Sequence, residues 1–149
     1  YLAATLDQLG KREQAVTMLE ESISSGNDVP EAYNYLGYVY VEEGRDLDRA
    51  IELIKRAVEM DPDNGAYLDS LGWAYYKKGM LDKALEKVTR ALEYLPDDPV
   101  VRSHLGEIYF SMGKVKEAIS EWTMSLKMNP DNKELKERIK DAKQELKKK

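Results

Sequence analysis

Tyr35-Leu36-Gly37-Tyr38-Val39-Tyr40 returns as Ser70-Leu71-Gly72-Trp73-Ala74-Tyr75 and again as His104-Leu105-Gly106-Glu107-Ile108-Tyr109, a Leu-Gly-x-x-Tyr core displaced by 35 and then 34 residues. A fixed period of this length decides an architecture before any single residue does, because each unit is one supersecondary element stacked on its neighbours. Outward from the core, a glycine recurs at Gly10, Gly44, Gly79 and Gly113, and an alanine at Ala15, Ala50, Ala84 and Ala118. The one extra residue falls between Gly44 and Ala50, within Arg45-Asp46-Leu47-Asp48, where a turn absorbs it. Pro62, Pro96 and Pro130 close the units, each followed by an acidic or Asn-containing turn and a new apolar-periodic segment.

Tyr33, Leu36, Gly37 and Tyr40 lie at i, i+3, i+4 and i+7, one face of a helix, and Ile51, Ile54 and Val58 repeat the pattern in its partner. Each unit therefore reads as two helices joined by a tight turn, and no strand pattern occurs. Small residues at Gly37, Gly72 and Gly106, facing Ala50, Ala84 and Ala118, let the two backbones approach, so a bulky side chain there overpacks the contact. The glycines that end each first helix suit a left-handed cap. One such pair buries only part of its apolar surface, which makes the array the folding entity.

With these features in register the chain resembles the tetratricopeptide repeat family. The match is fullest from Gly65 to Asp98, through Leu68, Leu71, Gly72, Tyr75, Gly79, Ala84, Val88, Ala91 and Pro96, and it covers nearly the whole chain. The resemblance implies an all-α fold, a right-handed superhelix of antiparallel helix pairs with a C-terminal capping helix. It divides one domain, residues 1–149, into a partial first repeat (1–29), a second (30–64), a third (65–98), a fourth (99–132) and the capping helix (133–149). The chain departs from the family's pattern at Arg102, where a large apolar residue is usual, at Ser22 and Ser125 in place of alanine, and at Trp122 in place of phenylalanine. Residues 1–9 read as the second part of a first helix whose beginning is missing, and the start at Tyr1 without methionine as a piece of a longer protein.

After Pro130, Leu135, Ile139, Ala142 and Leu146 form a narrow apolar stripe flanked by Lys133, Lys136, Lys140 and Lys143, an amphipathic helix that covers the last repeat and turns a charged face to water. Residues 131–149 carry eight basic and five acidic side chains, +3, and the remainder is −8. Lys147-Lys148-Lys149 reads as a frayed tail.

Composition removes several function classes. The 149 residues are 42% hydrophobic, enough for a continuous core. With 23 basic and 28 acidic side chains the chain is net −5, which argues against electrostatic capture of nucleic acid. It has no cysteine and one histidine, so disulfides, thiolate chemistry and zinc sites of clustered histidines are excluded. No apolar run approaches the roughly 20 residues of a membrane-spanning helix.

In the family that this chain resembles, the first helix of every pair lines a concave groove. That implies a peptide-binding wall of Asn34, Tyr38, Val41 and Glu42, then Asp69, Trp73, Tyr76 and Lys77, then Ser103, His104, Glu107, Phe110 and Ser111. Exposed aromatics suit peptide anchoring, because they offer large contact area at low entropic cost. Packing of Tyr38 and Trp73 between neighbouring first helices is the alternative role for those rings. Glu42, Asp69 and Glu107 against the single Lys77 favour a protein or peptide partner with apolar and basic side chains. The family's Lys/Asn/Arg clamp on a C-terminal carboxylate is not matched, since its positions hold Asn34, Tyr38, Ser70, Val100 and His104.

Asp69, Ser70 and His104 form an imaginable hydrolytic trio, but no nucleophile elbow or Gly-rich oxyanion site accompanies them, and the expectation is a non-catalytic scaffold. The Asp61-Pro62-Asp63-Asn64-Gly65 run lacks the oxygen ligands of a calcium loop and reads as helix capping. No cofactor and no metal are expected. Self-association is the second reading: a structural module of a larger assembly, or a homodimer through an apolar face exposed near Tyr1. The Leu-Gly-Trp and Arg-Asp-Leu-Asp-Arg-Ala stretches are similar to those of bacterial tetratricopeptide proteins, some of them exported, which implies a bacterial source and a cytoplasmic or cell-envelope location.

Overall fold

The computed structural model describes residues 11–148, and the expected helix at residues 1–9, the turn at Gly10 and the face near Tyr1 lie outside them. The described residues form eight helices: α1 (Arg12–Ser24), α2 (Pro30–Glu43), α3 (Leu47–Met60), α4 (Gly65–Lys77), α5 (Leu81–Tyr94), α6 (Pro99–Ser111), α7 (Val115–Met128) and α8 (Lys133–Lys147). None of them is long and apolar enough to cross a membrane. The helices group into two compact units, residues 1–63 and 64–149.

In the first unit α2 packs on α1 and α3. Pro30 opens α2, where its missing N–H is no loss. Gly44 closes it at φ 67°, with Gly44 N–H donating to Val41 O and Arg45 N–H to Tyr40 O, both at 3.1 Å. This double bond pattern around a left-handed residue satisfies the last carbonyls of the helix. The motif tyrosine thus supplies the carbonyl that the cap needs, four residues before the glycine. The inserted residue shifts the following turn: Asp46, the residue before α3, sits at φ 48°.

In the second unit α4 pairs with α5 and α6 with α7, while α5 and α6 join the pairs and α8 packs on α7. The same cap recurs at Gly79 (φ 84°) and Gly113 (φ 81°), through Met80 N–H to Tyr75 O at 2.9 Å and Lys114 N–H to Tyr109 O at 2.8 Å. N-caps come from side chains that accept backbone N–H bonds: Asn64 from Tyr67, Asp98 from Val100 and Val101, Asn132 from Leu135. Within the Asp61–Gly65 run, Asn64 is therefore the capping residue.

The small residues of the first helices are needed: Gly37 and Gly72 face the carbonyls of Ala50 and Ala84 as expected, and all three glycines meet the side chain one turn further on. A Cβ on Gly72 would lie 2.5 Å from Val88 Cγ2 and 3.2 Å from Ala84 O, and one on Gly37 2.6 Å from Ile54 Cγ1. At Gly106 it would run into the ring of Trp122. Trp122 is fully buried and donates through Nε1 to Ser103 O at 3.2 Å. It packs with Val115, Ala118, Leu135, Ile139 and Ala142, so the apolar stripe of α8 is the lid on this cluster. Ser125, also buried, donates its hydroxyl to Pro99 O at 2.6 Å, which satisfies a polar group in place of alanine. Arg102 bonds Glu121 at 2.9 Å and Pro96 O at 3.3 Å, keeping its charge in a position usually apolar.

Candidate functional site

The wall residues fall on α2 in the first unit and on α4 and α6 in the second, with α8 adding one the sequence reading missed. On α2, Glu42 is exposed, and Asn34 and Tyr38 are half-buried. Val41 corrects the expectation: at 1% exposure it belongs to the buried core, where an aliphatic side chain is more stable than on an open surface.

In the second unit α4 and α6 lie side by side. The imidazole of His104 stacks on Trp73, with centroids 3.9 Å apart and planes at 15°, and Trp73 stacks in turn on Tyr76 at 4.5 Å and 12°. Tyr76 follows Trp73 by three residues on α4, so helical spacing alone brings those two rings together. His104 is fixed from its other side by Asp69, whose carboxylate oxygens lie 2.9 and 3.1 Å from Nδ1. An ionised carboxylate only accepts, so Nδ1 carries the proton and donates it. Asp69 is buried and His104 nearly so. Lys77 extends over the Trp73 face at 5.2 Å, and Ser111 reaches the Tyr76 hydroxyl at 3.4 Å.

The next contact along the wall has the same register and different chemistry. Arg138 of α8 stands one period after His104, and Glu107 one period after Trp73. Where the earlier pair stacks, this pair forms a bidentate ion pair, Arg138 Nε and Nη2 donating to Glu107 at 3.2 and 3.0 Å. The hydrogen bonds to Glu107 hold the guanidinium pKa above its ordinary value. Its planar face covers Phe110 at 4.5 Å and Trp122 at 5.0 Å. Carrying the 34-residue period one unit further would have found Arg138; reading α8 only as an apolar stripe passed over it.

Two of the three wall acids are therefore already paired, Asp69 with His104 and Glu107 with Arg138. Ser103 and Asn132 line two adjoining recesses of about 130 and 160 Å³, the first also bordered by His104 and Val100, the second by Glu107 and Arg138. These offer hydroxyl and amide groups beside the rings. The imagined trio does not assemble as one: Ser70 is buried and makes no hydrogen bond with His104, whose Nδ1 is taken by Asp69. Among the described residues no group of three His, Cys, Asp or Glu side chains is placed to hold a metal.

Two family profiles match the chain, one described as tetratricopeptide repeat over residues 2–65 and one as YpiA-like tetratricopeptide repeats over residues 77–129. A TPR repeat-containing protein of Pseudomonas aeruginosa is 32% identical over 84 residues, 54% of this chain and 14% of that protein's length. The chain therefore spans only a small part of that relative. Among solved structures, one chain of the APC/C hetero-tetramer Cut9-Hcn1 superposes with a TM-score of 0.86 at 25% identity, over 95% of this chain and 28% of that one. The first tetratricopeptide domain of Spaghetti (RPAP3), bound to an HSP90 peptide, gives 0.73 at 21% identity, over 78% and 92%.

Proposed function

The chain belongs to the tetratricopeptide repeat family, and from that premise we propose that it is a non-catalytic scaffold that binds a peptide or protein segment on the wall of its first helices. The observation that carries this reading is the Tyr76–Trp73–His104 ring stack, half exposed and held in place by Asp69, Lys77 and Ser111. Rings immobilised before a ligand arrives lose little entropy on binding it. Stacking between neighbouring helices and anchoring of a ligand are thus compatible roles for Trp73. That a structural neighbour of the same fold carries a bound peptide supports the class of ligand.

The partner contributes apolar side chains to the rings and hydrogen-bonding groups to Ser103 and Asn132. A basic side chain on the partner meets Glu42, whose charge is open to solvent, in preference to Asp69 or Glu107. The proposed binding residues are Asn34, Tyr38 and Glu42, and Asp69, Trp73, Tyr76, Lys77, Ser103, His104, Glu107 and Phe110. The repeat limits 30–64, 65–98 and 99–132 are the proposed units of recognition.

The test begins with selection of binding peptides on the wild-type chain from a displayed random library. Trp73→Ala combined with Tyr38→Ala should weaken the selected peptides at least about tenfold, while Glu86→Lys on α5 leaves them unchanged. Equal affinity for wild type and the double variant, at matched helicity, would remove the wall from the account.

A further inference from the structure

The lysines of α8 are sorted from its acids, with Arg138 apart from them and paired with Glu107. Turning about 100° per residue, Lys133, Lys136, Lys140, Lys143 and Lys147 fall in one sector about 80° wide beside the apolar stripe. Glu134, Glu137, Asp141 and Glu145 fall in a separate sector on the far side. All five lysines are exposed, and among the described residues none has an ion-pair partner. Four of them, with Gln144, surround a shallow recess of about 370 Å³ to which Ile139 contributes apolar lining.

A face that only solvates the protein needs charge, not a single sign of charge. Helices α3 and α5 intersperse both, as in Glu52/Arg56 and Glu86/Arg90. On α8 the neighbours Lys136/Lys140, Lys140/Lys143 and Lys143/Lys147 repel one another at three- and four-residue spacing. Among the described residues none of these lysines makes an ion pair that would offset that repulsion.

We propose that this lysine flank is a second docking surface, separate from the wall of the first helices, and that its occupant is an acidic helical segment of a partner protein. Lys136, Lys140, Lys143 and Lys147 are spaced i, i+4, i+7 and i+11 and span about 16 Å, so a helix with carboxylates at the same spacing pairs with every one of them. An apolar side chain between those carboxylates reaches the recess beside Ile139. The flank carries no aromatic or arginine on which a nucleobase stacks, and no exposed Trp, Phe or Leu that enters a bilayer, so the chemistry favours protein over nucleic acid and membrane.

The probe is a labelled synthetic alanine-based helix with glutamates at i, i+4, i+7 and i+11 and one leucine between them, titrated with the full chain by fluorescence anisotropy. An isomer of the same composition, its glutamates spread evenly round the helix, is the reference. The proposal expects saturable binding of the ordered peptide, weakened at least about tenfold in the isomer and in K136E/K140E/K143E/K147E, and unchanged in K116E/K127E. Circular dichroism melting checks the fourfold variant, and lysine-to-glutamine changes at the same positions carry the readout if the reversal lowers its melting temperature. No binding to the wild type, equal affinity for the two peptides, or full affinity in the charge-reversed chain overturns the proposal. So does tighter binding of a DNA duplex or of phosphatidylserine vesicles than of the ordered peptide. Concentration-dependent self-association abolished by the four reversals would overturn it as well, naming a second copy as the occupant.

Discussion

At the residue scale, three atoms of contact decide what position 72 tolerates. Val88 Cγ2, Val88 N and the Ala84 carbonyl leave no room for a Cβ on Gly72, and two of the three are backbone, which cannot rotate away. Gly72→Leu should therefore cost roughly 1–3 kcal/mol, read as a lower urea midpoint. An unchanged midpoint would mean that α4 and α5 do not meet as closely as described. Trp122 is the opposite case, a large group in a space made for it. Trp122→Ala should cost about 3–5 kcal/mol, and Trp122→Phe, which keeps most of the volume and loses the bond to Ser103 O, distinctly less. Tyr40 gives a pH signature. Burial, with the hydrogen bond to Glu20, raises its pKa above 10.0, so the folded chain holds the phenolic proton more tightly than the unfolded chain does. That stability is fully present below the unfolded value and is lost as pH rises through the folded one. Urea midpoints measured from pH 9 to 11 should fall more steeply for wild type than for Tyr40→Phe; parallel curves would refute the assignment.

Helix ends are where sequence and structure agree most closely, because caps are local. The three glycines four residues after the motif tyrosines adopt positive φ and close the same pair of backbone bonds each time. A left-handed residue is needed there, and only glycine adopts it without steric cost. Asp98 caps α6 through two accepted N–H bonds. Asp98→Ala should cost about 1 kcal/mol and speed amide exchange in the first turn of α6 before any other helix of its unit. Uniform acceleration across the unit would count against a local cap. The turn before α3 was legible as the place of the inserted residue, but not its conformation. Asp46 takes φ 48° because the longer turn must still deliver α3 onto α2, and Asp tolerates that region better than a branched residue.

For the molecule as a whole, α8 is what converts an open pair into a covered one. Leu135, Ile139 and Ala142 are buried against Trp122, Val115 and Ala118. Leu135→Ala with Ile139→Ala should lower the thermal midpoint and increase binding of an apolar dye, with each substitution costing about 2–5 kcal/mol. A double variant that melts like wild type would remove α8 from the core. The helix pairs, their glycine caps and the apolar stripe of α8 were determined by the sequence alone, because the recurring glycines and the 3.6-residue spacing act through residues close along the chain. The partners of the wall's carboxylates were decided only in three dimensions. Asp69 with His104 and Glu107 with Arg138 are joined across 35 and 31 residues of chain, and such distances carry no local signal. Composition made that wall acidic, and tertiary structure gave two of its carboxylates their donors, because a buried carboxylate is stable only beside a donor and the stacking of helices chooses which donor arrives.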